Sequence, residues 1–316
     1  MGSEAAATSV SPAVPPEVFR EILSSREAPT WRPLLVLVGT LALFTVTLGM
    51  SVMLTDVGIL VFVLLLHEAG HYVGMRAFGY RDVRMFFIPF LGGAVSGKAS
   101  GVAPYKQAIV LLLGPLPGLI AAFILALGVP PEPGEVLDKL MFVLVAVNGL
   151  NLLPFEPLDG GRLVHLLLSS RLRVIDVASL IIGGTTLGLL ALKLDSMAIG
   201  VASFFTLLGV PNRIKAIRAA RALRETGVSL PERIEDAPDQ TLVTLGNIVE
   251  QIVLYRVAVV GQTRERAIVN WGRVIYDRAL VRHLGVVSSL GFGLLYLLGW
   301  VLGVAVLVIV MIPRPS

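Results

Sequence analysis

The apolar run Leu60-Val61-Phe62-Val63-Leu64-Leu65-Leu66 leads without a break into His67-Glu68-Ala69-Gly70-His71. Val57 to Phe78 has the length and apolarity of a transmembrane helix. It nevertheless carries ionisable residues near membrane depth, where each charge costs about 2.5–3.5 kcal/mol or more. Such groups need partners. Pairing with polar residues of neighbouring helices is one solution. A bound metal ion is another, and it accounts for both histidines and the glutamate together. Residues four apart on a helix share a face, so His67 and His71 can offer two imidazole nitrogens to one tetrahedral zinc ion. Glu68 stands one residue further round, placed to take a proton from an attacking water.

A catalytic zinc site uses three protein ligands, so one more must come from elsewhere in the chain. The sequence has no cysteine. His165 reads as a lone histidine on an apolar helix face, and His283 ends a charged soluble stretch, so neither is favoured. Carboxylates remain. The segment Asn151-Leu152-Leu153-Pro154-Phe155-Glu156-Pro157-Leu158-Asp159-Gly160-Gly161 ends another apolar run, and its prolines prevent a regular helix. Broken backbone at membrane depth is tolerated only around cavities or buried sites. Asp159, followed by two glycines that allow close approach, is the expected third ligand. Glu156 is the less favoured substitute.

With HExxH in one span and an NxxPxxxLDG-type pattern from Asn151 to Gly160 in a later one, the chain resembles the site-2 protease family of intramembrane zinc metalloproteases. Gly114-Pro115 in the intervening span adds to the match. The resemblance covers about the first two thirds of the chain. It implies that His67, His71 and Asp159 hold Zn2+, that Glu68 is the general base, and that Asn151 binds substrate or steadies an oxyanion. An asparagine beside broken helix can equally cap freed carbonyls, and both readings of Asn151 stand at this point. The implied reaction is hydrolysis of a peptide bond in a transmembrane or membrane-proximal segment, releasing a regulatory factor.

Composition agrees with a membrane protein: 55% of residues are hydrophobic, 15% are charged, and mean hydropathy is +0.82. The expected spans are Pro33 to Leu54, Val57 to Phe78, Tyr105 to Val129, Leu137 to Leu153, Val174 to Leu194, Met197 to Val210 and Gly285 to Ile312. The sequence therefore predicts an all-α polytopic membrane protein of about six to seven transmembrane helices, with a three-helix catalytic core. Its expected organisation is a flexible cytoplasmic leader (1–32), a metalloprotease core (33–210), a basic helical cytoplasmic segment (211–283) and a C-terminal transmembrane helix with a short tail (284–316).

Positive residues near span ends mark the cytoplasmic side. Arg20, Arg26 and Arg32 precede the first span, Arg76, Arg81, Arg84, Lys98 and Lys106 follow the second, and Arg162, Arg171 and Arg173 follow the fourth. The alternate connections hold Asp56, then Glu132, Glu135, Asp138 and Lys139, then Lys193 and Asp195. This pattern puts both motifs in the cytoplasmic half of their spans. No cleavable signal or transit-like leader is evident, and cysteine is absent, so a bacterial cytoplasmic membrane is expected.

Arg84 to Gly97 mixes strand formers with glycine and reads either as a membrane-associated β-hairpin, which could pair with an extended substrate, or as an interfacial loop, since glycine and proline also form loops. The two prolines in Gly114-Pro115-Leu116-Pro117-Gly118 predict a kink in the third span. Pro211 to His283 holds twelve Lys and Arg against eight Asp and Glu, which is the whole formal net charge of +4. Within it, Arg213 to Arg224 spaces Ile214, Ile217 and Leu223 against Lys215, Arg218, Arg221 and Arg224, which suits an amphipathic helix on anionic lipid or a solvated basic helix, while Leu242 to Val260 and Arg264 to Arg282 read as a helical pair. The expected partners are a transmembrane protein substrate, the lipid bilayer and a second copy of the chain, with 211–283 serving dimerisation or gating. The modest charge argues against nucleic acid. A membrane metal-binding scaffold or transporter is the competing class, and it has no use for Glu68.

Overall fold

The computed structural model describes residues 13–24, 32–49, 53–88, 92–99, 101–128, 136–168, 174–253, 263–280 and 284–311. Outside them lie most of the expected leader, the hairpin tip 89–91, the connection with Glu132 and Glu135, the basic pair Arg171 and Arg173, and His283. In chain order the elements are α1 (Pro16–Ser24), α2 (Arg32–Gly49), α3 (Leu54–Ala77), β1 (Arg81–Ile88), β2 (Gly92–Lys98), α4 (Pro104–Leu113), α5 (Pro115–Gly128) and α6 (Val136–Asn151). They continue with α7 (Asp159–Leu168), α8 (Val174–Leu194), α9 (Met197–Leu208), α10 (Val210–Glu225), α11 (Asp239–Ile248), α12 (Arg264–Ala279) and α13 (Val286–Met311). The chain divides into two units, one of Glu27–Val210 with Arg282–Ser316, the other of Met1–Arg26 with Pro211–Val281.

The first unit has the expected all-α polytopic membrane architecture with one small hairpin. Three described stretches are long and apolar enough to cross a bilayer by themselves: Leu54–Ala77, Pro104–Gly128 and Val286–Val310. Val177–Lys193 is a shorter apolar helix. The stretch Leu137 to Leu153 forms α6, which has 16 residues and stops at Asn151, because Pro154 and Pro157 cannot continue a helix. The predicted kink is a break between α4 and α5 at Gly114, since Pro115 has no N–H with which to continue the ladder.

These helices pack through small residues. A Cβ at Gly70 of α3 would fall on the Leu113 carbonyl of α4, so only glycine lets the two backbones meet there. Two turns earlier on α3, buried Val63 packs in a cluster with Ala122 and Ala126 of α5, Met141, Leu144 and Val145 of α6, and Val306 of α13. Lys139 of α6 pairs with Asp56 in the first turn of α3 at 2.7 Å, where a carboxylate also suits the helix dipole. Helices α8 and α9 pack closely, and Ser203 donates to the Gly184 carbonyl at 2.7 Å.

Strands β1 and β2 pair antiparallel from Arg84↔Ser96 to Ile88↔Gly92, with an irregularity between Arg81 and Arg84. The Phe87 N–H donates to Thr40 Oγ1 at 2.9 Å, tying β1 to α2.

The second unit has its own core. Within the stretch expected as a leader, Ala13 to Ser24 is ordered against this unit, and α1 buries Phe19 completely with Val14 among Leu223, Leu242, Leu245, Ile275 and Tyr276. Val18, Phe19, Ile22 and Leu23 recur at helical spacing, so a single short helix can supply an apolar face. Arg20 ties it down by donating to the Ala237 carbonyl at 2.9 Å and pairing with Asp239 at 2.6 Å. Helix α10 buries Ala219, Ala220 and Leu223 in the same core; Ala216 is buried as well, and Ile214 and Ile217 are half-buried. Of the apolar residues assigned to lipid, Leu223 is therefore used inside this core. A π-helical turn, Val249–Val253, follows α11, and α11 packs against α12.

Phe19→Ala should cost this unit about 3–5 kcal/mol. Limited proteolysis of the full-length protein in nanodiscs should then cut residues 211–281 faster than in wild type. Unchanged cutting rates would show that α1 does not stabilise the unit.

Candidate metal centre

Helix α3 places His67 and His71 one turn apart on its buried face, 3% and 6% exposed. The third member comes from the far side of the α6 break, where Asp159 opens α7 and is 7% exposed. His67 Nε2 and His71 Nε2 lie 3.2 Å apart, and Asp159 Oδ2 lies 3.1 Å from the first and 3.0 Å from the second. Among the described residues this is the group of His, Asp and Glu side chains able to hold one ion. Nitrogen and oxygen ligands on a tetrahedral zinc at about 2.0–2.1 Å sit about 3.3 Å from one another, so the observed triangle is close to the required size.

The hydrogen-bond partners of the histidines support the same reading. His71 Nδ1 lies 2.9 Å from the Val110 carbonyl. A carbonyl can only accept, so Nδ1 carries a hydrogen, and in the neutral ring Nε2 then presents its lone pair to His67 Nε2 and the Asp159 carboxylate. Electron-rich atoms converging in a buried place call for a cation. The donor set of two imidazoles and one carboxylate suits zinc.

The backbone is shaped around this point. At the α4–α5 break, a Cβ on Gly114 would fall on the His71 ring. On the Asp159 side, Cβ atoms on Gly160 and Gly161 would fall on the backbone of Leu152 and of Phe155–Glu156. The two glycines let α7 start directly against the broken segment, which sets Asp159 in place. That segment is also held from outside, for Tyr296 of α13 donates to the Leu152 carbonyl at 2.6 Å and the Glu156 N–H donates to Ser179 Oγ of α8 at 3.0 Å.

Glu68 is buried beside the group at 7% exposure, and strand β2 passes close to it. A Cβ on Gly93 would stand 3.1 Å from Glu68 Oε1. Neither Glu156 nor His165 joins the metal group, and His283 lies outside the described residues. The Asn151 amide donates to the Val147 carbonyl of its own helix at 2.9 Å, so it caps a carbonyl. The asparagine that reaches the centre is Asn148, whose Oδ1 lies 2.9 Å from His67 Nδ1. Sequence reasoning passed over it. Its signal was the spacing: Asn148 lies one helical turn before Asn151 in an otherwise apolar span, deeper into α6.

No family model matches the chain. Over 117 residues, 36% of this chain and 40% of the relative, it is 36% identical to stage IV sporulation protein FB of Bacillus subtilis (strain 168). Over 225 residues, 64% of this chain and 65% of the relative, it is 24% identical to zinc metalloprotease MJ0392 of Methanocaldococcus jannaschii. The chain thus spans less than two thirds of the length of either curated relative. Among solved structures it aligns with the site-2 protease from Methanocaldococcus jannaschii at a TM-score of 0.41 and 22% identity, covering 55% of this chain and 87% of that one. The two sequence motifs meet at a single buried point, and the chain that carries them is similar in sequence to a zinc metalloprotease, which supports its resemblance to the site-2 protease family.

Proposed function

We propose that this protein is a zinc-dependent intramembrane endopeptidase that hydrolyses peptide bonds in transmembrane or membrane-proximal substrate segments, in the service of regulated intramembrane proteolysis. The observation that carries the reading is the 3.0–3.2 Å triangle of His67 Nε2, His71 Nε2 and Asp159 Oδ2, formed on an apolar helix with Glu68 at the adjacent position. In this reading His67, His71 and Asp159 hold Zn2+, which when bound polarises the scissile carbonyl and makes water acidic enough to attack at neutral pH.

The chain's own groups do the rest. Glu68 accepts a proton from the attacking water and returns it to the leaving amine, a transfer of the kind worth about 10²–10⁴-fold in rate. Burial keeps competing water away from the carboxylate and strengthens every electrostatic contact around it. Strand β2 approaches Glu68 through Gly93. An extended substrate segment added beside the hairpin would present its backbone near the base, after local unwinding of its own helix. Asn151, if released from Val147, could steady an oxyanion. The basic flanks of the spans favour a site opening to the cytoplasm, in a bacterial cytoplasmic membrane.

The second reading is a metal-binding scaffold or transporter, favoured only by the ligand triangle, which such a protein would share. The test is metal analysis of the full-length protein in nanodiscs together with cleavage of a reconstituted single-span protein. Wild type should bind about one zinc per chain and cleave. Asp159→Ala should lose both, with the loss of affinity at least about 100-fold since a first ligand is removed. Wild type that binds no zinc would remove the proposal.

A further inference from the structure

We infer that Asn148 is the positioning residue of the metal centre, fixing the tautomer and ring orientation of His67, and that Gly118 of α5 exists at its position to admit the Asn148 amide. The inference rests on the zinc-site reading and extends it to residues outside the ligand set.

Asn148 lies on α6 and is 1% exposed. An amide at membrane depth needs partners for both its donor and its acceptor. Its Nδ2 donates to the Leu144 carbonyl, one turn back on the same helix, at 2.7 Å. A carbonyl cannot donate, so this bond decides which way the amide faces. Its Oδ1 is thereby turned towards His67 Nδ1 at 2.9 Å. An amide oxygen only accepts, so His67 must carry its hydrogen on Nδ1, which leaves Nε2 free to bind an ion. His71 is oriented in the same sense by the Val110 carbonyl at 2.9 Å. Each imidazole therefore has its own acceptor, one from a side chain of α6 and one from the backbone of α4. Such outer partners hold the ring and raise its basicity, and losing one costs about 10–100-fold in metal affinity.

The room for this amide comes from α5. A Cβ on Gly118 would fall on Asn148 Nδ2, with Cγ and Oδ1 also too close. Any larger residue at 118 would push the amide off both of its bonds. This gives Gly118 a purpose beyond helix packing, since the end of the Gly-Pro-Leu-Pro-Gly stretch lies against the support of one ligand as its start, Gly114, lies against the other. Asn148 touches neither the ion position nor a reacting atom, so its effect should pass through His67.

The test is zinc affinity of the full-length protein in nanodiscs by chelator competition, joined to the visible spectrum of the cobalt-substituted form. Asn148→Leu keeps the volume and removes the acceptor, and should weaken zinc by about 10–100-fold and alter the cobalt bands. Asn148→Asp keeps an acceptor oxygen towards His67 and, as the neutral acid, an O–H for the Leu144 carbonyl, and should stay within about threefold of wild type, well below that range. Gly118→Ala should weaken zinc in the same direction, and adding it to Asn148→Leu should cause little further loss, because both act through one contact. If the Leu variant holds zinc as tightly as wild type, the inference is overturned while the metal site stands. Equal losses in the Leu and Asp variants would overturn it too, by showing that Asn148 only fills space. Failure of wild type to bind zinc or cobalt would instead overturn the metal-site reading, and this inference with it.

Discussion

Glu68→Gln should bind zinc as wild type does, keep its fold, and lose cleavage by about 10²–10⁴-fold or more. Glutamine has nearly the same shape and still fits beneath Gly93, but it cannot accept the water proton. The ligand triangle of His67, His71 and Asp159 is untouched by the change. The measurement is a mass-spectrometric comparison of membrane-protein termini in source cells carrying wild type or the variant, with equal expression and equal zinc content. New intramembrane termini confined to wild type would identify both the activity and its substrate. Cleavage retained within about threefold would exclude Glu68 as the base, since the lower bound for losing it is near a hundredfold. Loss of every phenotype difference despite bound zinc would favour the scaffold.

Gly114→Ala should release metal without altering any ligand. The added methyl would occupy the volume of the His71 ring, and His71 is held on its other side by the Val110 carbonyl at 2.9 Å. The ring must tilt or the α4–α5 break must open. The second response is costly, because α4 already lies in backbone contact with Gly70 of α3. Overpacking of this kind costs about 1–3 kcal/mol, and spent on one ligand it corresponds to roughly a 10–100-fold loss of zinc affinity. Chelator competition measures the affinity, and thermal aggregation in detergent measures the fold. Unchanged zinc affinity would mean that the chain can relax around residue 114, and that the break at Pro115 is not built around His71.

Several features were legible because they depend on short-range rules. Two histidines four residues apart share a helix face wherever that helix is placed, so the pairing of His67 with His71 follows from spacing. Pro115 must interrupt its helix, and Pro154 and Pro157 must end α6, because the missing N–H acts within one turn. Asp159 was found by the same route, as the carboxylate beside prolines and glycines at the end of an apolar run. The hairpin from Arg81 to Lys98 was legible from its glycine and strand-forming residues.

Other features needed the tertiary structure. Asn148 and Asn151 are both asparagines of α6 near its end, and the resemblance drew attention to Asn151. Only the approach of α3 on one side and of Gly118 on the other shows that Asn148 is the residue facing His67. The face of α10 with Ile214, Ile217 and Leu223 was read as suited to lipid, yet Leu223 is buried with Phe19, a residue far away in sequence. An amphipathic pattern states that a face is apolar and not what will cover it.

By itself, then, the sequence determined the membrane class of the chain, the pairing of His67 with His71 and the points where its helices break, since each is imposed by hydropathy, helical period or proline within a few residues. The tertiary structure alone decided which amide supports His67, which carbonyl supports His71, and which unit takes up α1. Those choices depend on surfaces brought together across long separations in the chain, where burial and the need to satisfy every polar group select the partner.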